Sequence, residues 1–521
     1  MVAGLFGVRS SQSFPRGRGG LLLIRLGPLL LASVLIRSAA GQEPTAPQTA
    51  PGDAGAVAAG LSGAMGVQQA VVEAIAAAEK SVVAIARVPK DSAAGSTPLE
   101  FRPDAFGRRM ATSAPASPTD PDFVPRDFAT GVIVDRQGLI LTAYHALGED
   151  ADYYVTTFER KVYHASIKGA DPRSDLAVLA IEAADLAPIV MGDAAKLKKG
   201  QIVVALGNPY AIARDGQPSA SWGIVANLAR KAPLGPEDFD APSKSTLHHY
   251  GTLIQTDAKL NFGTSGGALL DLKGQMVGLT TSLAALAGYE QPAGYAFPVD
   301  ATFRRVVETL KQGREVEYGL LGIQPAGLSV QEMMRGTHGT RVHRVVTGSP
   351  AQRFGVRDGD VVTAVNGTAI YDPDGLVLEV GKLPVESVVR LSLLREEQRL
   401  DLDVRLAKFP VSGKKIVTAA PASWRGLRVD YTTVMPETDL PTAANSPSFD
   451  EAVVVTEVAP NSPAWEAGVR PRDFICQVDQ ATIRSPREFQ AAVNGKSGPV
   501  QLRLYGESGE KPPTRTVAPG S

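Results

Sequence analysis

A serine set among glycines can be a turn or a nucleophile, and residues 261–271, "NFGTSGGALLD", place Ser265 in that position just before an apolar run. Ser and Gly are ordinary turn formers, so the stretch alone describes a loop. A serine hydroxyl is a weak nucleophile at neutral pH. Acyl transfer therefore needs a base beside it, an acid that fixes the base's tautomer, and backbone N–H groups for the oxyanion. Gly263 and Gly266 allow backbone amides to converge with no Cβ in the way. The base must come from six histidines: His145, His164, His248, His249, His338 and His343. His145, in "LILTAYHAL", sits where an apolar strand gives way to a loop, and that placement favours it. For the acid, Asp175 stands immediately before the apolar strand of "DPRSDLAVLAIE", with Asp171 and Asp257 as rivals. The chain order His145, Asp175, Ser265 is one known for this constellation.

The elements that must hold these groups read as short apolar strands: "TGVIVDRQGLILTAY", "HASIKGAD", "LAVLAIE", "QIVVALGNP" and "GQMVGLTTS". Their spacing, without long intervening helices, argues for an all-β barrel or sandwich. Residues 66–88 begin helix-like and turn into a β-branched run, and residues 89–127 read as a long surface loop. A helix is expected over 300–313, with Asp at its start and Gly at its end. Further on, "VHRVVTGSPAQRFGVRDGDVVTAVNGTAI" from Val342 is repeated as "VTEVAPNSPAWEAGVRPRDFICQVDQATI" from Val455. Ser349-Pro350-Ala351 falls on Ser462-Pro463-Ala464, and Gly355-Val356-Arg357 on Gly468-Val469-Arg470. Ser caps a short helix, Pro fills its first turn and Gly ends it. These are two copies of one small domain.

At 521 residues the chain holds several domains. Its 44% apolar and 21% charged content is globular, and a net charge of -1 with no basic block gives no sign of a nucleic-acid partner. The arginines before "LGPLLLASVLI" and the small residues after it read as a secretory signal over 1–41, an uncleaved anchor being the alternative. The single cysteine, Cys476, permits no internal disulfide and is expected to be a small buried hydrophobe. No spacing suits zinc, and no phosphate-binding glycine loop follows a strand, so no cofactor is expected.

"TAYH", "SDLAVL" and "GTSGG" together resemble the trypsin-like serine peptidases. The longer phrases "TGVIVDRQGLILTAYHAL", "MGDAAKLKKGQIVVALGNPY", "LIQTDAKLNFGTSGGALLDLKGQMVGL" and "GYAFPVD" are similar to the HtrA/Deg family over about residues 67–310, and the repeat resembles its PDZ domains. The resemblance implies a mainly β chain: a chymotrypsin-like double β-barrel protease domain followed by two PDZ-like α/β domains. The expected boundaries are a signal at 1–41, a flexible linker at 42–65, the protease at 66–313 and the first PDZ-like domain at 318–408. A linker at 409–423, the second PDZ-like domain at 424–506 and a disordered tail at 507–521 complete the chain.

The resemblance further implies His145 as base, Asp175 as orienting acid and Ser265 as nucleophile, with Gly263, Thr264 and Ser265 forming the oxyanion loop. Leu279, Thr280 and Thr281 would line a primary pocket for small aliphatic side chains. Leu320, Leu321, Gly322 and Ile323 would receive a peptide carboxylate while the peptide adds a strand. Expected partners are unfolded or misfolded proteins outside the cytoplasm, peptide C-termini, and copies of the same chain as trimers or their multiples. Two positions depart from the family pattern: Phe262 stands where Pro is usual and Thr264 where Asn is usual. Thr264 also cannot supply the acidic group that trypsin pairs with its cleaved N-terminus. A peptide-binding chaperone or scaffold with weak or no proteolysis is the alternative function. In the second copy, "RGLRV" at 425–429 matches the peptide-binding loop less well.

Overall fold

The computed structural model describes residues 53–90, 101–103, 109–111, 127–208, 216–232, 244–281, 294–420, 422–435, 451–505 and 513–519. The signal expected at 1–41 lies outside them. Among the described residues no helix is long and apolar enough to cross a membrane. Residues Ser62–Ser521 form one compact unit. The first helix, Asp53–Ala78, begins well inside the stretch 42–65 expected to be a flexible linker. The stretch is rich in alanine, the strongest helix former, and its scattered glycines do not break it. The last turns of the helix bury Ala74 and Ala78.

Strands Val82–Pro89, Asp127–Ile133, Leu139–Ala143, Ala151–Thr156, Val162–Asp171 and Leu176–Ile181 form the first barrel. It closes because the long strand Val162–Asp171 pairs with Ala151–Thr156 through its first half and with Leu176–Ile181 through its second. Within the stretch 89–127, expected to be a loop, Phe101–Pro103 and Arg109–Ala111 pair as a short hairpin. The second barrel is closed from Ile202–Gly207, Ser219–Arg230, Leu253–Thr256, Ala268–Leu270, Met276–Thr281 and Gly294–Pro298. One apolar cluster runs through both, joining Val132, Leu141 and Val178 to Val204, Leu206, Leu279 and Phe297. Helix Ala301–Lys311 covers it with Phe303, Val306, Val307 and Leu310, and the Asp300 side chain caps its start, as the sequence predicts.

Each repeat folds into a small sheet with its own core. In the first, Ile323–Ala326 is the edge strand, followed across the sheet by Thr340–Val345, Val361–Val365, Val388–Arg395 and Gln398–Arg405. In the second the order is Leu427–Tyr431, Val453–Val458, Phe474–Val478, Val500–Leu504 and Thr514–Val517. Ser349 and Ser462 cap the short helices Pro350–Arg353 and Pro463–Glu466 with their side chains.

Three expectations give way. The tail expected to be disordered at 507–521 supplies strand Thr514–Val517, whose Val517 is fully buried. The linker at 409–423 is docked: Ile416 and Val417 add a strand to the first barrel opposite Ala170 and Gly169. Pairing of exposed N–H and C=O groups along Val162–Asp171 is the physical reason. Cys476 is half-buried, and its thiol donates to the Arg503 carbonyl at 3.4 Å.

Candidate active site

His145 follows strand Leu139–Ala143 on a single 3₁₀ turn, Tyr144–Ala146. Asp175 precedes strand Leu176–Ile181, which pairs with Leu139–Ala143 in the same barrel, so sheet register brings the two side by side. Ser265 arrives from the second barrel, on the loop before Ala268–Leu270. The Asp175 carboxylate takes two bonds from His145, one from its backbone N–H at 2.9 Å and one at Nδ1 at 2.7 Å. The other ring nitrogen, Nε2, is 3.1 Å from Ser265 Oγ. Carboxylate, imidazole and hydroxyl thus form one continuous line. With Nδ1–H donating to the carboxylate, Nε2 is the acceptor that faces the hydroxyl.

Burial pulls the His145 pKa down, but the Asp175 charge and its hydrogen bond push it up, and the net is above the ordinary imidazole value. Asp175 is itself buried and sits at φ +55°, in the left-handed region that a residue with a Cβ enters at a cost. The rival acids lie elsewhere. Asp171 accepts from Ser174 and Tyr318, while Asp257 accepts from the Ile224 N–H at 2.7 Å. Of the other histidines, His164 is exposed beside Tyr154, His249 caps the turn at Thr246, and His343 is exposed on its strand. His338 lies near Tyr371, and His248 is buried against Phe297 with ring centroids 4.0 Å apart.

The nucleophile loop is held by a residue that motif reading passed over. Thr130, on strand Asp127–Ile133, donates its hydroxyl to the Gly263 carbonyl at 2.6 Å and accepts from the Asn208 N–H at 2.8 Å. Its own N–H donates to the Ser265 carbonyl at 2.9 Å. Only its place in "FATGVIV" gave a hint, as a polar residue facing inward from an apolar strand. Gly263 and Gly266 sit at φ +91° and +85°. A Cβ at Gly263 would overlap the Phe128 ring and the Asn208 carbonyl; one at Gly266 would overlap the Thr130 carbonyl and Thr142 Oγ1.

Thr264, expected within the oxyanion loop, has its own polar groups tied inside that loop. Its N–H donates to the Asn261 carbonyl at 3.1 Å, and its hydroxyl does so at 2.6 Å. The resemblance assigns the donor role to the N–H groups of Gly263 and Ser265. Phe262 points outward, 47% exposed. Leu279 packs in the barrel core, and Thr280 braces the nucleophile loop by donating its hydroxyl to the Thr264 carbonyl at 2.5 Å. Thr281 is buried at the end of the strand, and its Oγ1 has no partner among the described residues. The stretch that follows, 282–293, lies outside the described residues.

In the first repeat, Leu320 pairs with Ala407 and the Leu321 carbonyl accepts from the Ala351 N–H at 2.9 Å. Gly322, at φ +79°, turns the chain into the edge strand that begins at Ile323. Among the described residues that strand pairs on one side only, with Thr340–Val345. The second copy keeps the glycine, Gly426 at φ +82°, but the Leu427 N–H donates back to the Trp424 carbonyl at 2.9 Å. There Arg425 replaces Leu321, and its guanidinium reaches the carbonyls of Val517, Ala518, Lys496 and Gly498. Among the described residues, no group of His, Cys, Asp and Glu has an arrangement that could hold a metal ion.

Comparison with known proteins finds the same two kinds of domain along the chain. A trypsin-like peptidase domain matches residues 129–279, and a PDZ domain matches residues 341–395 and again 454–504. The chain is 29% identical over 381 residues to the periplasmic serine endoprotease DegP of Salmonella typhimurium, covering 72% of this chain and 73% of that one. It is 28% identical over 382 residues to a probable periplasmic DegP-like serine endoprotease of Chlamydia trachomatis, covering 73% and 72%. Among solved structures, the HtrA-type protease AlgW with a decapeptide is 25% identical, with a TM-score of 0.48 and coverage of 65% of this chain and 98% of that one. The chain thus carries a trypsin-like peptidase domain followed by two PDZ domains, and it is similar to the DegP and DegP-like serine endoproteases.

Proposed function

We propose that the chain is an exported serine endopeptidase that cleaves unfolded or misfolded proteins, with Ser265 as nucleophile. His145 Nε2 takes the Ser265 proton as the hydroxyl attacks the scissile carbonyl, and later returns it to the leaving amine. Asp175 holds the imidazole in the required tautomer and offsets the imidazolium charge. The N–H groups of Gly263 and Ser265 receive the oxyanion, where preorganised donors in a water-poor site count most. The unbroken line from the Asp175 carboxylate through both ring nitrogens to Ser265 Oγ, at 2.7 and 3.1 Å, carries this reading.

The substrate class follows from the PDZ regions and from relatives that are named periplasmic endoproteases. The one-sided edge strand at Ile323–Ala326 suits an added peptide strand, with the Gly322 turn receiving its carboxylate. The second copy has turned its equivalent amide inward and is assigned a scaffold role. Assembly into trimers or their multiples accompanies this reading. A fluorophosphonate probe tests it: wild type should be labelled, with Ser265→Ala unlabelled and His145→Ala reduced by at least about a thousandfold. A wild type that stays unlabelled and leaves unfolded casein intact, even with C-terminal peptides added, would return the protein to the chaperone class.

A further inference from the structure

The catalytic acid stands at φ +55°, a left-handed conformation that aspartate enters more readily than most residues but still at a cost, so its surroundings help to hold it there. Ser174, immediately before it, has its polar groups tied. Its N–H and hydroxyl both donate to Asp171 Oδ2, at 2.9 and 2.6 Å, and its carbonyl accepts from His248 Nε2 at 2.8 Å. His248 is held in turn by Thr252 Oγ1 at 2.6 Å and by its stack on Phe297. A third donor converges on Asp171 Oδ2, the hydroxyl of fully buried Tyr318, while Asp171 Oδ1 has no hydrogen-bond partner among the described residues.

Tyr318 does not belong to the barrels. It begins the first PDZ region, directly before strand Gly319–Leu320. Its carbonyl accepts from the Phe409 N–H at 2.7 Å, and Phe409 directly follows strand Ala407–Lys408 at the far end of the same domain. Between these two ends lies the acid loop itself: the Arg173 guanidinium is 3.7 Å from the Phe409 ring centroid and 5.3 Å from that of Tyr318. Beyond Phe409 the chain continues along the same loop. The Lys414 carbonyl accepts from the hydroxyl of Tyr144, the neighbour of His145, at 3.1 Å, before Ile416 and Val417 join the barrel.

We propose that Tyr318 is a positioning residue for hydrolysis: a seated first PDZ domain delivers its hydroxyl to Asp171, which through Ser174 fixes the left-handed Asp175 that orients His145. The proposal rests on the reading of His145, Asp175 and Ser265 as the hydrolytic groups. It places control of the triad at the two ends of a peptide-binding domain, on the side of the acid.

The test is Tyr318→Phe in the full chain, which keeps the ring and removes only the donor. Three results are expected: kcat falls about 10- to 100-fold with KM within about twofold, the acidic limb of the pH profile moves to lower pH because Asp175 no longer supports the imidazolium, and the downfield proton resonance of the His145 Nδ1–H···Asp175 bond weakens or shifts. Asp171→Asn should give the same changes, and the double variant no further loss, since the two act in series. Ser174→Ala, which retains the backbone bond to Asp171, should fall between, and it serves if Tyr318→Phe does not fold. An unchanged Nδ1–H resonance and pH limb in Tyr318→Phe, or additive losses in the double variant, overturn the proposal. The resonance is read without any substrate. A wild type that hydrolyses nothing would therefore sink the proposed activity and still leave this coupling decided.

Discussion

At the scale of single residues, the site is a set of proton positions. His145 lies close to a buried carboxylate, so its proton is held more tightly than in a free imidazole despite burial. Attack needs the neutral ring. The raised pKa therefore means that activity is lost on acidification sooner than for an unperturbed histidine, with the midpoint of the kcat/KM limb above the ordinary value of about 6.5. Steady-state hydrolysis of a short peptide ester across pH 5–9 measures this, and a midpoint below that value would contradict the Asp175–His145 pairing. His248 shows the opposite environment. Burial lowers its pKa to about 4, although the Ser174 carbonyl and the Asp175 charge favour the charged form. It is neutral at physiological pH, with Nε2–H donating to Ser174 and Nδ1 accepting from the Thr252 hydroxyl. Two histidines near one aspartate are separated by whether that aspartate touches the ring.

At the scale of elements, short strands do the positioning, and a late strand matters as much as an early one. Thr514–Val517 completes the second repeat's sheet, buries Val517 and offers the Val517 carbonyl to Arg425. Ending the chain at Tyr505 removes that packing and two of the four carbonyls around the guanidinium, those of Val517 and Ala518. Losing a buried valine and leaving a cation short of acceptors should cost the second repeat about 2–4 kcal/mol. Urea unfolding should then show an early transition confined to that domain, with the Ser265 labelling rate unaltered. A single transition at the wild-type midpoint would mean that the strand contributes nothing. The contrast with Gly322 and Gly426 is instructive: both turn the chain in the left-handed region, yet one leads to a strand that pairs on one side only among the described residues and the other closes on Trp424. The glycine is common to both, and the residue before it differs.

At the scale of the whole molecule, the segment between the repeats acts as part of the protease. It pairs with strand Val162–Asp171, and Lys415 is bonded to Glu315 at 2.6 Å. A free tether with two adjacent lysines would be cut at once by trypsin. We expect Lys414 and Lys415 to resist brief digestion in wild type, and Val417→Pro, which cannot donate a ladder bond, to open the site at least about tenfold faster. Mass mapping of the first fragments decides it, and rapid cutting of wild type at these lysines would show that the strand does not persist in solution. Nearby, Lys408 is buried among Glu315, Glu317 and Asp430, so the two repeats and the segment that follows helix Ala301–Lys311 share one ionic cluster.

The local sequence by itself determined which chemical groups the protein owns and how its parts are punctuated. Ser265 between glycines, strand-end His145, the aspartate before "LAVL" and the duplicated Ser-Pro-Ala…Gly-Val-Arg units are readable because each depends on spacings of a few residues. Position before a strand could not separate Asp175 from Asp171 and Asp257; the resemblance singled it out, and the barrel supplies the reason, because residues far apart in the chain meet through strand register. The same holds for Thr130 beneath the nucleophile loop, for Tyr318 above the acid loop, and for the linker and tail that became strands. Their roles come from hydrogen bonds spanning tens to hundreds of residues, and no local pattern encodes a partner at that distance.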